Sequence, residues 1–126
     1  MAVWSYQVKK ISATEYDLVF VADMENGWYI YSQFIGDEGP IPTSFQYDLN
    51  NNVQLVGKSK EAGYKKEGFD EIFGMNLIKF GKEVTFTQRI KVSTNVKEVV
   101  GNLTYMTCND EQCLPPTEVP FSFILK

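Results

Sequence analysis

Histidine is absent from the 126-residue chain, and with it go the commonest general base and the commonest zinc ligand. Hydrolase triads and histidine-based metal centres are thereby excluded. Cysteine occurs only twice, as Cys108 and Cys113, too few to supply the four ligands of a structural zinc site. No run of 18 or more apolar residues is present, so no segment reads as a membrane-spanning helix. Basic residues do not predominate: 12 Lys and Arg stand against 16 Asp and Glu, a net charge of −4. That balance offers no basic face for phosphate backbones and argues against nucleic-acid binding. The start, Met1-Ala2-Val3-Trp4-Ser5-Tyr6, turns polar almost at once and lacks the pattern of a signal peptide. Two origins fit: a cytosolic protein, or a fragment whose export signal lay upstream. A disulfide-competent pair favours the second, because such pairs persist in exported compartments.

What is present is a globular composition, 44% hydrophobic and 14% aromatic, in line with a buried core. The length suits one domain over residues 1–126, and domains need staples to fold mainly below about 40 residues. The apolar period is two. In Lys82 to Val92, Val84, Phe86, Ile90 and Val92 alternate with Glu83, Thr85, Thr87, Arg89 and Lys91. This predicts a strand with one buried face, on which Gln88 is the only polar residue. Trp4 to Ile11 and Val119 to Leu125 alternate in the same way, and Tyr16 to Ala22 is apolar on both faces in its middle. Trp28 to Gln33, Ser44 to Tyr47, Val53 to Val56 and Val99 to Cys108 are the remaining strand candidates. No capped amphipathic helix is apparent. The pattern predicts an all-β chain, most simply an immunoglobulin-like antiparallel β-sandwich, with a small barrel as the alternative.

Three connections stand out. Asn50-Asn51-Asn52 predicts a turn, since Asn tolerates the left-handed region. Residues 35–43 are punctuated by Gly and Pro and unsuited to a central strand. Residues 57–74 are rich in Lys and Glu and predict a long loop without strand or helix period, a type of segment that tends to be functional. Phe69, Ile72 and Phe73 place large apolar side chains in it. Either they tuck the loop against the core or they form a hydrophobic lid over something reactive.

Cys108 and Cys113 bracket Asn109-Asp110-Glu111-Gln112. As a structural staple the pair does little, because closing a loop of about six residues removes only about 2 kcal/mol of unfolded-chain entropy. As a redox pair it is short, at a loop tip and accessible. Asp110 and Glu111 lie between the sulfurs and no Lys or Arg occurs from Thr107 to Pro116, so the local sequence disfavours a thiolate. Such a pair suits attack by, or activation by, a specific partner, with slow reaction toward small disulfides.

The chain resembles the N-terminal domain of DsbD-type thiol:disulfide interchange proteins, an immunoglobulin-like module of bacterial envelopes. The resemblance is carried by Gly27-Trp28-Tyr29-Ile30-Tyr31-Ser32-Gln33, by Asp70-Glu71-Ile72-Phe73-Gly74, and most specifically by Tyr105-Met106-Thr107-Cys108 through Cys113-Leu114-Pro115-Pro116. It implies a periplasmic carrier of reducing equivalents that needs no cofactor and no metal. A thioredoxin-like partner would reduce the pair, which in turn reduces oxidised envelope proteins such as disulfide isomerases or cytochrome c maturation factors. A membrane-spanning region outside this fragment is part of the same implication. Cys113 matches the sulfur that forms mixed disulfides and Cys108 the resolving thiol. Residues 70–74 match a cap loop, with Ile72 or Phe73 as the shielding side chain and Phe69 beside them. Asp70 and Glu71, if near the sulfurs, would keep the reduced thiols protonated. Tyr29 and Tyr31 match aromatics around the active site. The competing reading is a non-catalytic binding module, with Trp28, Tyr29 and Tyr31 as an aromatic platform and an incidental disulfide.

Overall fold

The strongest alternation in the sequence lies at the centre of the fold. The computed structural model describes residues 2–35, 39–48, 52–93 and 95–125. Its strands are β1 (Ala2–Lys10), β2 (Glu15–Met24), β3 (Tyr29–Tyr31), β4 (Ser44–Tyr47), β5 (Val53–Asp70), β6 (Met75–Val92), β7 (Glu98–Tyr105), β8 (Thr107–Cys108) and β9 (Thr117–Ile124). All pairings are antiparallel, in two sheets, and the architecture is an immunoglobulin-like β-sandwich. The smaller sheet is β4-β7-β9. The larger is built around β6, which carries β5 along one edge from Val53↔Val92 to Asp70↔Met75. Its other edge is shared: β2 takes Glu83 to Lys91 and β3 takes Lys79 to Gly81. Outside these, β1 pairs with β2 and β8 with β3.

The even-numbered side chains of β6, Phe80, Val84, Phe86 and Ile90, are buried between the sheets with Leu18, Phe20 and Ala22 of β2. Leu103, Phe121 and Phe123 meet them from the smaller sheet. Phe20 is the centre of this core, its ring centroid 4.5 Å from Phe45, 4.9 Å from Phe121 and 5.1 Å from Phe123. The tilted and edge-on arrangements are those that aromatic quadrupoles favour.

Gln88 sits on this buried face for an identifiable reason. The register of β5 against β6 shifts between Val56 and Lys60, with Gly57 at a φ of 70°. A bulge of this kind takes backbone groups out of the ladder. The Gln88 amide restores partners, donating from Nε2 to the carbonyls of Arg89 at 2.9 Å, Gly57 at 3.3 Å and Val56 at 3.4 Å.

Three expectations change. Residues 57–74 are not a structureless loop: β5 continues unbroken to Asp70, and only 71–74 turn. No alternation announces this strand because almost every residue of it is exposed on both faces. Its backbone ladder with β6 holds it, and its Lys and Glu side chains are those by which an edge strand resists further pairing. Val99 to Cys108 is not one strand either. The chain leaves the smaller sheet after Tyr105 and joins the larger one as β8. Trp28 to Gln33 contracts to the three residues of β3. Asn50 and Asn51 of the predicted turn lie outside the described residues, as do 36–38 of the 35–43 loop, whose described part forms no strand.

Replacing Gln88 by Leu keeps the volume and adds apolar surface, but strands the bulge carbonyls. Urea unfolding should therefore show a loss of about 1–3 kcal/mol. A gain in stability would mean that the amide is tolerated there rather than needed.

Candidate active site

Cys108 and Cys113 are joined as a disulfide with Cα atoms 4.0 Å apart. The Asn109 N–H donates to the Gln112 carbonyl and the Leu114 N–H to the Thr107 carbonyl, both at 2.9 Å. The two cysteines thus occupy the non-hydrogen-bonded rung between two bonded ones, where facing side chains come closest. Asn109 shapes the turn, its Oδ1 accepting from the N–H groups of Glu111 at 2.9 Å and Gln112 at 2.8 Å. This is the local closure for which Asn is favoured, and it turns Asp110 and Glu111 outward, both exposed. The sulfur-bearing residues are unequal: Cys108 is 2% exposed, whereas Cys113 is only half-buried.

Alternation in β3 connects this hairpin to the fold. Ile30 joins the main core, while Tyr29 and Tyr31 project to the other face of the larger sheet, where Tyr29 pairs with Cys108. On that face a second, smaller cluster forms from Tyr31, Leu77, Met106 and Cys108. Phe73, Met75, Ile35 and Cys113 pack against it. Tyr31 is fully buried, its hydroxyl without a hydrogen bond of normal geometry and the Asp70 carboxylate as its neighbouring charge. Burial first, and that carboxylate second, push the phenol well above its usual range, so it stays neutral at any working pH. Glu61 pins the end of β3, accepting from the Ser32 hydroxyl and from the Gln33 backbone N–H at 3.2 Å.

The turn after β5 covers the cluster. Asp70 Oδ1 accepts from the N–H groups of Ile72 at 2.9 Å and Phe73 at 3.2 Å, and the Gly74 N–H donates to the Asp70 carbonyl at 2.7 Å. Gly74 supplies the left-handed step at φ 65° that few other residues adopt. Lys79 Nζ lies 3.5 Å from the other carboxylate oxygen. The result aims Phe73 inward, edge-on to Tyr31 with centroids 6.1 Å apart. Met75 beside it is backed by Gly39, where a β-carbon would come within 2.7 Å of the thioether sulfur. Ile72 is 45% exposed, Phe69 is 68% exposed, and Glu71 is exposed. Phe73 is therefore the side chain of this turn that shares a cluster with the sulfurs, and Asp70 holds the turn.

Cations that the local sequence around the cysteines lacks arrive across the sheet. Tyr31, Lys79 and Lys66 lie on consecutive rungs. Lys79 Nζ stands 4.5 Å and Lys66 Nζ 5.0 Å from the Tyr29 ring centroid, within cation–π range. Lys66 also donates to the Tyr29 hydroxyl at 3.0 Å. That hydrogen bond, with a lesser contribution from the charge of Asp110, raises the Lys66 pKa. Lys66, Lys79, Leu77 and Met106 were not foreseen from sequence. The first three come from the β5–β6 hairpin, far from the cysteines along the chain, and only rung pairing reveals them.

The family model for the N-terminal domain of thiol:disulfide interchange protein DsbD matches residues 2–123. No curated protein sequence matches the chain. Among solved structures, the N-terminal periplasmic domain of ScsB from Proteus mirabilis superposes with a TM-score of 0.71 at 18% identity, covering 98% of this chain and 46% of that one. The chain thus spans just under half of that relative. The reduced N-terminal domain of DsbD from Neisseria meningitidis superposes with a TM-score of 0.61 at 17% identity, covering 96% of this chain and 84% of that one. At these identities the superpositions speak for the fold.

Alkylation of the reduced protein separates the cap candidates. Phe73→Ala should speed iodoacetamide trapping at least about tenfold, the factor that corresponds to about 1.4 kcal/mol of lost packing. Ile72→Ala should change it less than about twofold, as exposed substitutions do. The reverse order would assign the cap to Ile72.

Proposed function

Because the chain belongs to the family of thiol:disulfide interchange protein DsbD N-terminal domains, we propose that Cys108 and Cys113 carry reducing equivalents between proteins outside the cytoplasm. A thioredoxin-like partner reduces the pair, and the reduced pair then reduces disulfides of oxidised envelope proteins, cytochrome c maturation factors among them. The observation that carries this reading is the unequal setting of the two sulfurs: Cys108 buried in an apolar cluster, Cys113 half-open at the edge of the same cluster.

In the reducing direction the Cys113 thiolate attacks one sulfur of the partner disulfide. A mixed disulfide forms and the partner's other sulfur leaves as a thiolate, which takes a proton. The Cys108 thiol loses its proton and attacks Cys113 Sγ, which breaks the mixed disulfide and releases the partner's second sulfur. Two electrons and two protons have then passed to the partner, and Cys108–Cys113 is oxidised. Recharging is the same sequence reversed, begun by a partner thiolate attacking Cys113. Burial of Cys108 suits the resolving role, because a resolving thiol needs no access to solvent.

Phe73 is the shield in this scheme. Seated over the cluster, it excludes small oxidants, and a docking partner displaces it. Asp70 sets its resting position through the turn N–H groups. The alternative of an aromatic binding platform loses one of its members, since Tyr31 is fully buried.

Equilibration in glutathione or dithiothreitol buffers with counting of free thiols tests the reading. A midpoint less negative than about −300 mV is expected, whereas a pair still oxidised far below that value is a staple. In the same scheme Cys108→Ser leaves Cys113 able to trap a thioredoxin-like partner as a mixed disulfide. Trapping only by Cys113→Ser would exchange the two roles.

A further inference from the structure

A row of directly opposed residues crosses the larger sheet from the disulfide: Cys108 faces Tyr29, Tyr29 faces Gly81, and Gly81 faces Tyr64. Opposed residues in antiparallel strands share a face, so this row lies on the site's face and leads away from the cap. Gly81 contributes no side chain, and the Tyr29 ring lies over it so closely that a β-carbon would come within 2.8 Å of the ring. Tyr29 and Tyr64 line a cleft of about 230 Å³ together with Lys66, Gly81 and Lys82.

The two lysines are held but not neutralised. Lys66 Nζ is hydrogen-bonded to the Tyr29 hydroxyl at 3.0 Å, and Lys82 Nζ stands 4.3 Å from the Tyr64 ring centroid. Among the described residues neither has a carboxylate within 4.0 Å, unlike their neighbours Lys65 and Lys79, which pair with Glu67 and Asp70. The acidic group that acts on Lys66 is Asp110 of the cystine turn. Lys82 adopts φ 59° beside Gly81, a backbone conformation costly for a long side chain and natural for glycine. The conformation holds the Lys82 side chain over the Tyr64 ring.

We infer that this cleft docks an acidic peptide segment of the exchange partner, seating a Glu or Asp carboxylate between Lys66 and Lys82 and an apolar neighbour against the exposed Tyr64 ring. The inference rests on the exchange reading of the cysteine pair. Distances suit it. Strands lie about 4.8 Å apart and an extended peptide advances about 3.4 Å per residue. From Cys113 the row passes Cys108 and Tyr29 before the gap over Gly81, so the cleft is reached about four residues from a cysteine at Cys113. An incoming carboxylate also competes with the charge of Asp110 for Lys66, which ties occupancy of the cleft to the turn that carries the sulfurs. Specificity would then come from electrostatic complementarity, which acts mainly on encounter.

The probes are two synthetic cystine peptides identical but for Glu or Gln four residues after the cysteine. Each is used intact for exchange with the reduced protein, and with its cysteines reduced and methylated for binding to the oxidised protein. The Glu peptide should be reduced about fivefold to tenfold faster at low salt. Its methylated form should bind correspondingly tighter, with shifts of the Tyr64 ring resonances. Both preferences should vanish in Lys66→Gln/Lys82→Gln, persist in Lys66→Arg/Lys82→Arg, and shrink at high salt. Equal exchange and equal binding of the two peptides would overturn the cleft while leaving the exchange reading intact. A Glu preference in binding with no exchange of either peptide would support the cleft and remove the exchange reading.

Discussion

The pairing of β5 with β6 is the constraint on which the rest depends. Each strand has 18 residues, about 60 Å of extended chain at roughly 3.3 Å per residue, and their ladder runs through both the sandwich and the site. Half of β6 turns its even-numbered side chains into the main core, and the other half turns Leu77 into the cluster that holds Cys108 and Lys79 toward Asp70 and Tyr29. One strand thus sets the register of both. The turn at the hairpin's end reaches the smaller cluster because the ladder extends past the point where β2 stops pairing and β3 begins.

Where burial is one-sided, the sequence is informative. Val84, Phe86 and Ile90 announced their strand because each second residue meets the core, and Ser44 to Tyr47 was legible to the residue. The β5 strand was illegible for the opposite reason: no face of it is buried, so hydropathy carries no period, and its existence rests on backbone hydrogen bonds that any sequence can make. The break between β7 and β8 was hidden too, since apolar residues run through Tyr105-Met106-Thr107-Cys108 whichever sheet they join.

The same division applies to the site. Cysteine spacing, the acidic turn and the aromatic strand were readable because they are local. The choice between Ile72 and Phe73 was not, because it depends on the backbone conformation of the turn, closed by Asp70 and by Gly74 at φ 65°, which turns Phe73 toward Tyr31 and leaves Ile72 exposed. Lys66 and Lys79 were invisible for a third reason. Their proximity to Tyr29 is a matter of rung register across the sheet, and that register itself passes through irregularities at Gly57 and near Lys82. The acidic character inferred for the cystine turn was therefore incomplete: a lysine from β5 lies within electrostatic reach of Asp110.

Separation of the two apolar clusters has a further consequence. Tyr31, Leu77, Met106 and Phe73 form a compartment distinct from the one around Phe20. The outer end of the hairpin is joined to the sandwich mainly by ladder hydrogen bonds. Lifting Phe73 therefore disturbs only the smaller compartment, and the free energy of opening is set by a handful of contacts rather than by the stability of the whole molecule. The domain is insulated in the engineering sense: the packing around Phe73 can be loosened or tightened in steps while the frame keeps the same tolerance to heat and denaturant.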